Sequence, residues 1–274
     1  MGFEEPKWRA ITVGDVSVEI FFLISGYLIA KSLIKDGSFS RFAAARMLRI
    51  LPNLFFAVVV TSVITLLFFD NFAHWKSHLQ YVAQNIAMLL RGGPMYGVPG
   101  IFEGRPETAL NGSLWTLPYE VWCYFILFAI MALPHKMRSW LSLLAAQLCV
   151  SAFFLANYTL PLTRINLSEL GLLGVIFFLG AALANNQSNL PFFSSKRMAW
   201  FSRWGDPSYG MYIFAWPVQQ FCSLLISNFW VSLATAFLLT TTLGYCTWHG
   251  FEKRALTKVE TLTRWLDRRA PARV

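Results

Sequence analysis

Charge is scarce in this sequence. Asp, Glu, Lys and Arg together make up 14% of its 274 residues, where a soluble domain carries about a quarter. Combined with an apolar share of 56%, that shortage nearly excludes a soluble enzyme. It also excludes intrinsic disorder, which needs low hydrophobicity and much charge. Cysteine is sparse too. Cys123, Cys149, Cys222 and Cys246 all lie in apolar runs, and none forms a CxxC pair. They read as small apolar fillers rather than disulfides or metal ligands. The four histidines, His74, His78, His135 and His249, are scattered. His74 and His78 are four apart but lack a third ligand, so no metal site is expected. No P-loop, GxGxxG or GxSxG occurs, and 17 glycines without a period rule out a collagen-like chain.

What the sequence has is long apolar runs. A bilayer core needs about 20 apolar residues in a helix, and seven stretches qualify: 16–34, 50–69, 114–133, 140–158, 166–185, 209–229 and 230–248. An eighth, 79–90, is short enough to be re-entrant, interfacial or a short span. The expected fold is therefore all-α, a polytopic transmembrane bundle forming one domain over 1–274. Residues 1–10 include Glu4, Glu5, Pro6, Lys7 and Arg9 and do not read as a signal peptide, so insertion is expected to rely on internal helices.

The net charge of +9 comes from 23 basic and 14 acidic residues. We read it as loop enrichment facing the cytoplasm, not as nucleic-acid binding. With seven spans, 17 of the Lys and Arg fall on the side holding 31–49, 135–139, 186–207 and 250–274, and 6 on the other. The positive-inside rule then places the C-terminus in the cytoplasm. The basic tail 253–274 is expected to lie as a helix on anionic membrane lipid.

Ionisable groups inside spans are expensive and mark candidate sites. Asp15, Glu19, Glu120 and Glu169 fall toward the outer half, and His249 and Glu252 at an inner end. Outer carboxylates can hold hydroxyls of a polar acceptor or act as a general base; Glu19 and Glu169 can equally face headgroups or cap helices. Glu120, two after Pro118, is the deepest of them. On the inner side, Arg46 and Arg49 are three apart and share a helix face. Pro52 suggests that a helix begins beside them, and a helix start favours anions. Two guanidiniums there suit a phosphate or pyrophosphate, or simply anchor the loop inside. Aromatic–Pro clusters at 111–120 and 204–217 interrupt apolar runs. They line a cavity or form an interfacial belt.

Six segments, in order, resemble the acyltransferase-3 family of bacterial membrane O-acyltransferases, across essentially the whole chain. Val18-Glu19-Ile20-Phe21-Phe22-Leu23-Ile24-Ser25-Gly26-Tyr27-Leu28-Ile29 is similar to the family's FFxxSGFLI segment. Arg41-Phe42 with Arg46, Arg49, Ile50 and Pro52 is similar to RF…RxxRIxP, and 111–120 to NGSLWSLxxE. Phe177-Phe178-Leu179-Gly180 is similar to FFxxG. Ser208-Tyr209-Gly210-Met211-Tyr212-Ile213 with Trp216-Pro217-Val218 is similar to SYGLYIxxxPV. Trp248-His249 with Glu252-Lys253 is similar to WHxxEKP.

The resemblance implies an enzyme of the bacterial inner membrane. It would move an acyl group, commonly acetyl, from acyl-CoA as co-substrate to a hydroxyl of a cell-surface carbohydrate or glycolipid. Arg46 and Arg49 would hold the donor's phosphates. Glu120, catalytic, would share the reaction chamber with Asn111, Ser113 and Trp115. Ser25 and Gly26 would let their helix pack closely or admit the acyl chain. Ala215 departs from the family, where many relatives carry a His. The family's opening helix, which bears a His proposed as catalytic, is not matched here, so this chain alone is expected to transfer acyl groups poorly. The competing class is a transporter or flippase of lipid-linked sugars, which has no use for an acyl-CoA anchor.

Overall fold

The computed structural model describes residues 7–8, 11–88, 93–105, 107–155, 159–160, 165–186 and 205–269. Arg9, Leu89 and Leu90 of the eighth stretch, 156–158 of the fourth, 187–204 of the loop before Pro207 including Trp204, and the last five residues of the tail lie outside them. The chain is helical. Among the described residues the strands are two antiparallel pairs of two-residue segments, β1 (Lys7–Trp8) with β2 (Ile11–Thr12) and β3 (Thr159–Leu160) with β4 (Ile165–Asn166).

All seven apolar stretches are helices. They are α1 (Val13–Lys35), α2 (Phe39–Phe68), α4 (Leu117–Met131), α5 (His135–Leu155), α6 (Leu167–Asn185), α7 (Ser208–Leu225) and α8 (Phe229–Thr247). Among the described residues, five helical stretches are long and apolar enough to cross a membrane by length and composition: Gly14–Lys35, Phe39–Phe68, Gly112–Met131, Ser168–Asn185 and Phe229–Leu256. Their outward faces carry large apolar side chains, among them Ile20, Phe55, Phe125 and Phe237, each more than half exposed. Lipid is the solvent that matches such faces. The eighth stretch lies in α3 (Trp75–Ile86), a 12-residue helix. At 1.5 Å per residue it is about 18 Å long, too short to span.

Three boundaries differ from expectation: the fourth helix begins at His135, taking in the expected loop 135–139, and two others differ for a local reason. The second helix does not begin near Pro52 but at Phe39, and it continues through Pro52. Ala43, Ala44 and Ala45 are strong helix formers, and the chain turns earlier, where the Asp36 side chain accepts the Ser38 amide at 3.1 Å. The third begins as a 3-10 turn, Gly112–Thr116, and becomes α-helical only at Leu117. Pro118 therefore sits in the first turn of α4, which needs no amide donor.

The chain forms two compact units. Of the described residues, one holds those of 40–115 and 205–269; the other holds those of 7–39 and 116–186. In the second unit α6 packs against α1 and α5. The α1–α6 approach depends on two glycines. A Cβ on Gly26 would lie 2.0 Å from the Phe177 carbonyl oxygen, and one on Gly180 would lie 2.2 Å from that of Leu23. Small residues that let backbones touch are the usual adhesive of membrane helices. In the first unit α7 packs along α8. Asn228 starts α8 by accepting the Val231 amide at 3.1 Å. A π-turn (Trp248–Glu252) then leads to α9 (Lys253–Leu256) and α10 (Val259–Arg269), the helical part of the basic tail.

Candidate active site

Arg46 and Arg49 lie inside α2, so no helix start stands beside them and the anion-attracting terminus expected there is absent. Arg49 is instead held by carboxylates. One guanidinium nitrogen is 3.0 Å from Glu252 Oε1, and the other is 2.7 Å from Asp206 Oδ2 and donates to Ser208 Oγ at 3.3 Å. Glu252 is fully buried, and its Oε2 accepts from Asn53 Nδ2 at 2.6 Å. The Arg49 guanidinium also lies 5.9 Å from the Trp248 ring centre. Arg49 and Asn53 are one turn apart on α2, and Trp248 and Glu252 are four apart on the π-turn. Gly205, at φ +100°, passes so close that a Cβ would lie 2.0 Å from the indole nitrogen of Trp248. Asp206 is the exposed member, at 54%, so an incoming phosphate would displace Asp206 before Glu252. Arg46 is half-buried, its guanidinium 5.9 Å from the Phe42 ring centre.

Asn111, expected in a reaction chamber, is fully buried and closes a gap in α7. Pro217 has no amide hydrogen, so the carbonyl four residues earlier, at Ile213, loses its helical donor. Asn111 Nδ2 donates to that carbonyl at 3.0 Å, and Asn111 Oδ1 accepts the Ser113 amide at 3.0 Å. Beside it Trp216 Nε1 donates to the Ala109 carbonyl at 3.0 Å. Gly112 fits flat on the same indole, where a Cβ would come within 2.5 Å. Trp115 is half-buried in the 3-10 turn. These residues belong to the first unit.

Glu120 belongs to the second unit. It occupies the first turn of α4 rather than a deep position, so the helix dipole favours its charge. It is nonetheless buried, with 5% exposed. A partner that spacing did not single out holds it: Tyr124, one turn on, donates its hydroxyl to Glu120 Oε1. Of the two residues expected to pack closely or admit an acyl chain, Gly26 is in close packing against α6, and Ser25 beside it is half-buried. Asp15 and Glu169 sit in the first turns of α1 and α6, and Glu19 is half-buried.

The histidines separate into two kinds. His135 and His249 are exposed, the latter stacked on Tyr245. His74 and His78 gather with Asp70 and Ser62 in the first unit. Burial pushes the Asp70 carboxyl up, but hydrogen bonds from His74 and the nearby imidazoles outweigh it and hold the group below its usual range. Burial pushes His78 down, opposed by Asp70 and assisted by His74. Asp70 was not among the candidate residues, although its place four before His74 is a readable signal.

A family model described as an acyltransferase domain matches residues 2–203. The chain is 29% identical over 301 residues to an O-acetyl transferase of Shigella phage Sf6, covering 90% of this chain and 86% of that protein. It is 26% identical over 147 residues to Nodulation protein 10 of Rhizobium leguminosarum bv. viciae, covering 52% of this chain and 40% of that one. No solved structure matches.

Proposed function

The chain belongs to the acyltransferase-3 family and is a membrane O-acyltransferase; from that premise we propose that it moves an acetyl group from acetyl-CoA to a hydroxyl of a cell-surface carbohydrate or glycolipid. The observation that carries this reading is the similarity to a protein named O-acetyl transferase over 90% of the chain. In this reading seven helices span a bacterial inner membrane. The C-terminus lies in the cytoplasm, where the basic loops favour it, and the acceptor is met at the outer face.

Arg46 and Arg49 bind the donor's phosphates. Asp206 and Glu252 hold the Arg49 guanidinium in a fixed orientation, and a diphosphate replaces the exposed Asp206. Arg46, half-buried and three residues before Arg49 on α2, shares the donor's phosphates with it. Glu120, held by Tyr124, touches the acceptor as the catalytic carboxylate. Asn111 and Ser113, with Trp115, keep the backbone of the 111–116 turn in place. Ser25 and Gly26 serve close helix packing.

Arg46→Ala is expected to weaken acetyl-CoA binding to the detergent-solubilised chain by about tenfold or more. A charge-assisted hydrogen bond is worth about 1.5–3 kcal/mol, and 1.4 kcal/mol is tenfold. Equilibrium dialysis with labelled acetyl-CoA measures it. Unchanged affinity with an intact fold would remove Arg46 from the donor site.

A further inference from the structure

We propose that the cavity between the start of α5 and the end of α6 holds the headgroup of an anionic, hydroxyl-bearing phospholipid of the phosphatidylglycerol kind, with an acyl chain lying along α5. The inference is independent of the acyl-transfer reading and uses only the place of these helices in a membrane.

The position comes first. In the second unit α6 packs along α5, and the apolar stretch Ser168–Asn185, long enough to span, ends at Asn185. The end of a span meets the headgroup layer, the depth at which Trp is enriched. There His135, Lys136, Ser139 and Trp140 of α5, with Asn185 and Asn186 at the end of α6, line a cavity of about 340 Å³. The Ser139 hydroxyl donates to Asn186 Oδ1 at 2.9 Å, and Asn185 Nδ2 donates to Ser142 Oγ at 3.3 Å. These two bonds tie the helix ends together beside the cavity.

The charge there calls for an anion. His135, Lys136 and Arg138 open α5, and no acidic residue lies in its first turn. A helix start carries about half a positive charge and favours Asp or Glu, so three basic residues are set against the dipole. None of the three forms an ion pair among the described residues; Arg138 Nε donates to the Leu133 carbonyl at 2.8 Å. The lining holds no carboxylate that could balance them. A phosphate beside Lys136 and the first amides of this 21-residue helix removes the conflict.

The polar lining selects the headgroup. Asn186 uses its oxygen for Ser139, and among the described residues its amide nitrogen is free to donate to a phosphate oxygen. Asn185 is 2% exposed, and its Oδ1 accepts no hydrogen bond among the described residues. A buried acceptor left unpaired is costly. A glycerol hydroxyl supplies the missing donor, which an ionised phosphate diester alone does not.

The apolar side of the site selects a lipid over a soluble phosphate. Trp140, Leu144 and Leu148 are four apart and all more than half exposed. On a helix they form one stripe, which runs about 12 Å from the cavity into the bilayer. Ordinary anchoring of basic loops accounts for the cations, but not for the cavity or for the buried Asn185 oxygen.

The test titrates dioleoyl phosphatidylglycerol into the full chain in a neutral detergent and counts bound lipid by native mass spectrometry. It should bind at least about tenfold more tightly than dioleoyl phosphatidylcholine. The double variant His135→Gln with Lys136→Ala should lose about tenfold in that affinity, since each basic residue near a phospholipid surface contributes about fivefold. Both side chains are exposed, so unfolding without lipid should be unchanged. Lys35→Ala, which removes a charge from the last turn of α1, should alter the affinity by less than about twofold. Equal affinity for the two lipids, or an equal loss in Lys35→Ala, would overturn the proposal, because charge alone would then explain binding. Soluble glycerophosphoglycerol binding as tightly as the lipid would overturn the lipid assignment.

Discussion

Arg49→Ala should lower the stability of the solubilised chain by about 3–5 kcal/mol, the range for removing one partner of a buried ion pair. Glu252 is fully buried, with Asn53 as its other partner, so its charge would remain without a cation. The Asp206 contact contributes little to this figure. Asp206 is more than half exposed, and such pairs are worth about 0–1 kcal/mol. The double variant Arg49→Ala with Glu252→Gln should therefore be more stable than Arg49→Ala alone, because no buried charge is left behind. Thermal unfolding in detergent with all three chains measures the difference. A double variant less stable than the single one would show that Glu252 does not depend on Arg49.

Glu120→Gln should slow acyl transfer about ten- to a hundredfold while the chain folds normally. The substitution keeps the shape of the side chain and its bond from Tyr124 but removes the charge. A hydrogen bond to a charged group is worth about 1.5–3 kcal/mol, and each 1.36 kcal/mol is tenfold in rate. Tyr124→Phe should have a smaller effect on rate, since it leaves the carboxylate in place. Normal transfer by Glu120→Gln would confine Glu120 to holding the first turn of α4.

The helical architecture was legible because lipid imposes a length and a composition on each span. All seven runs hold helices, and among the described residues their ends fall within a few residues of expectation except at the starts of α2 and α5. Helix starts were harder to read. Pro52 looked like a first-turn proline, yet the alanines before it carry α2 back to Phe39. Pro118 was the true first-turn proline, and this moved Glu120 from the middle of a helix to its start.

The polar residues set among the apolar runs were legible too, but their partners were not. Arg49 meets Asp206 and Glu252 across 157 and 203 positions of sequence, which no local pattern encodes. The link from Asn111 to Ile213 follows only once Pro217 is seen to free that carbonyl. By contrast, Glu120 with Tyr124 and Asp70 with His74 are both four apart. Those two pairs could have been read from spacing.

The central claim is that this chain acylates a carbohydrate hydroxyl using acyl-CoA. The most direct measurement incubates membranes containing the chain with acetyl-CoA labelled in the acetyl group and a lipid-linked oligosaccharide, then isolates the glycan. The account predicts label on the glycan in an ester that mild alkali releases, with matching release of free CoA. Glycan carried across the membrane without label, or CoA release with none of the label on the glycan, would contradict it.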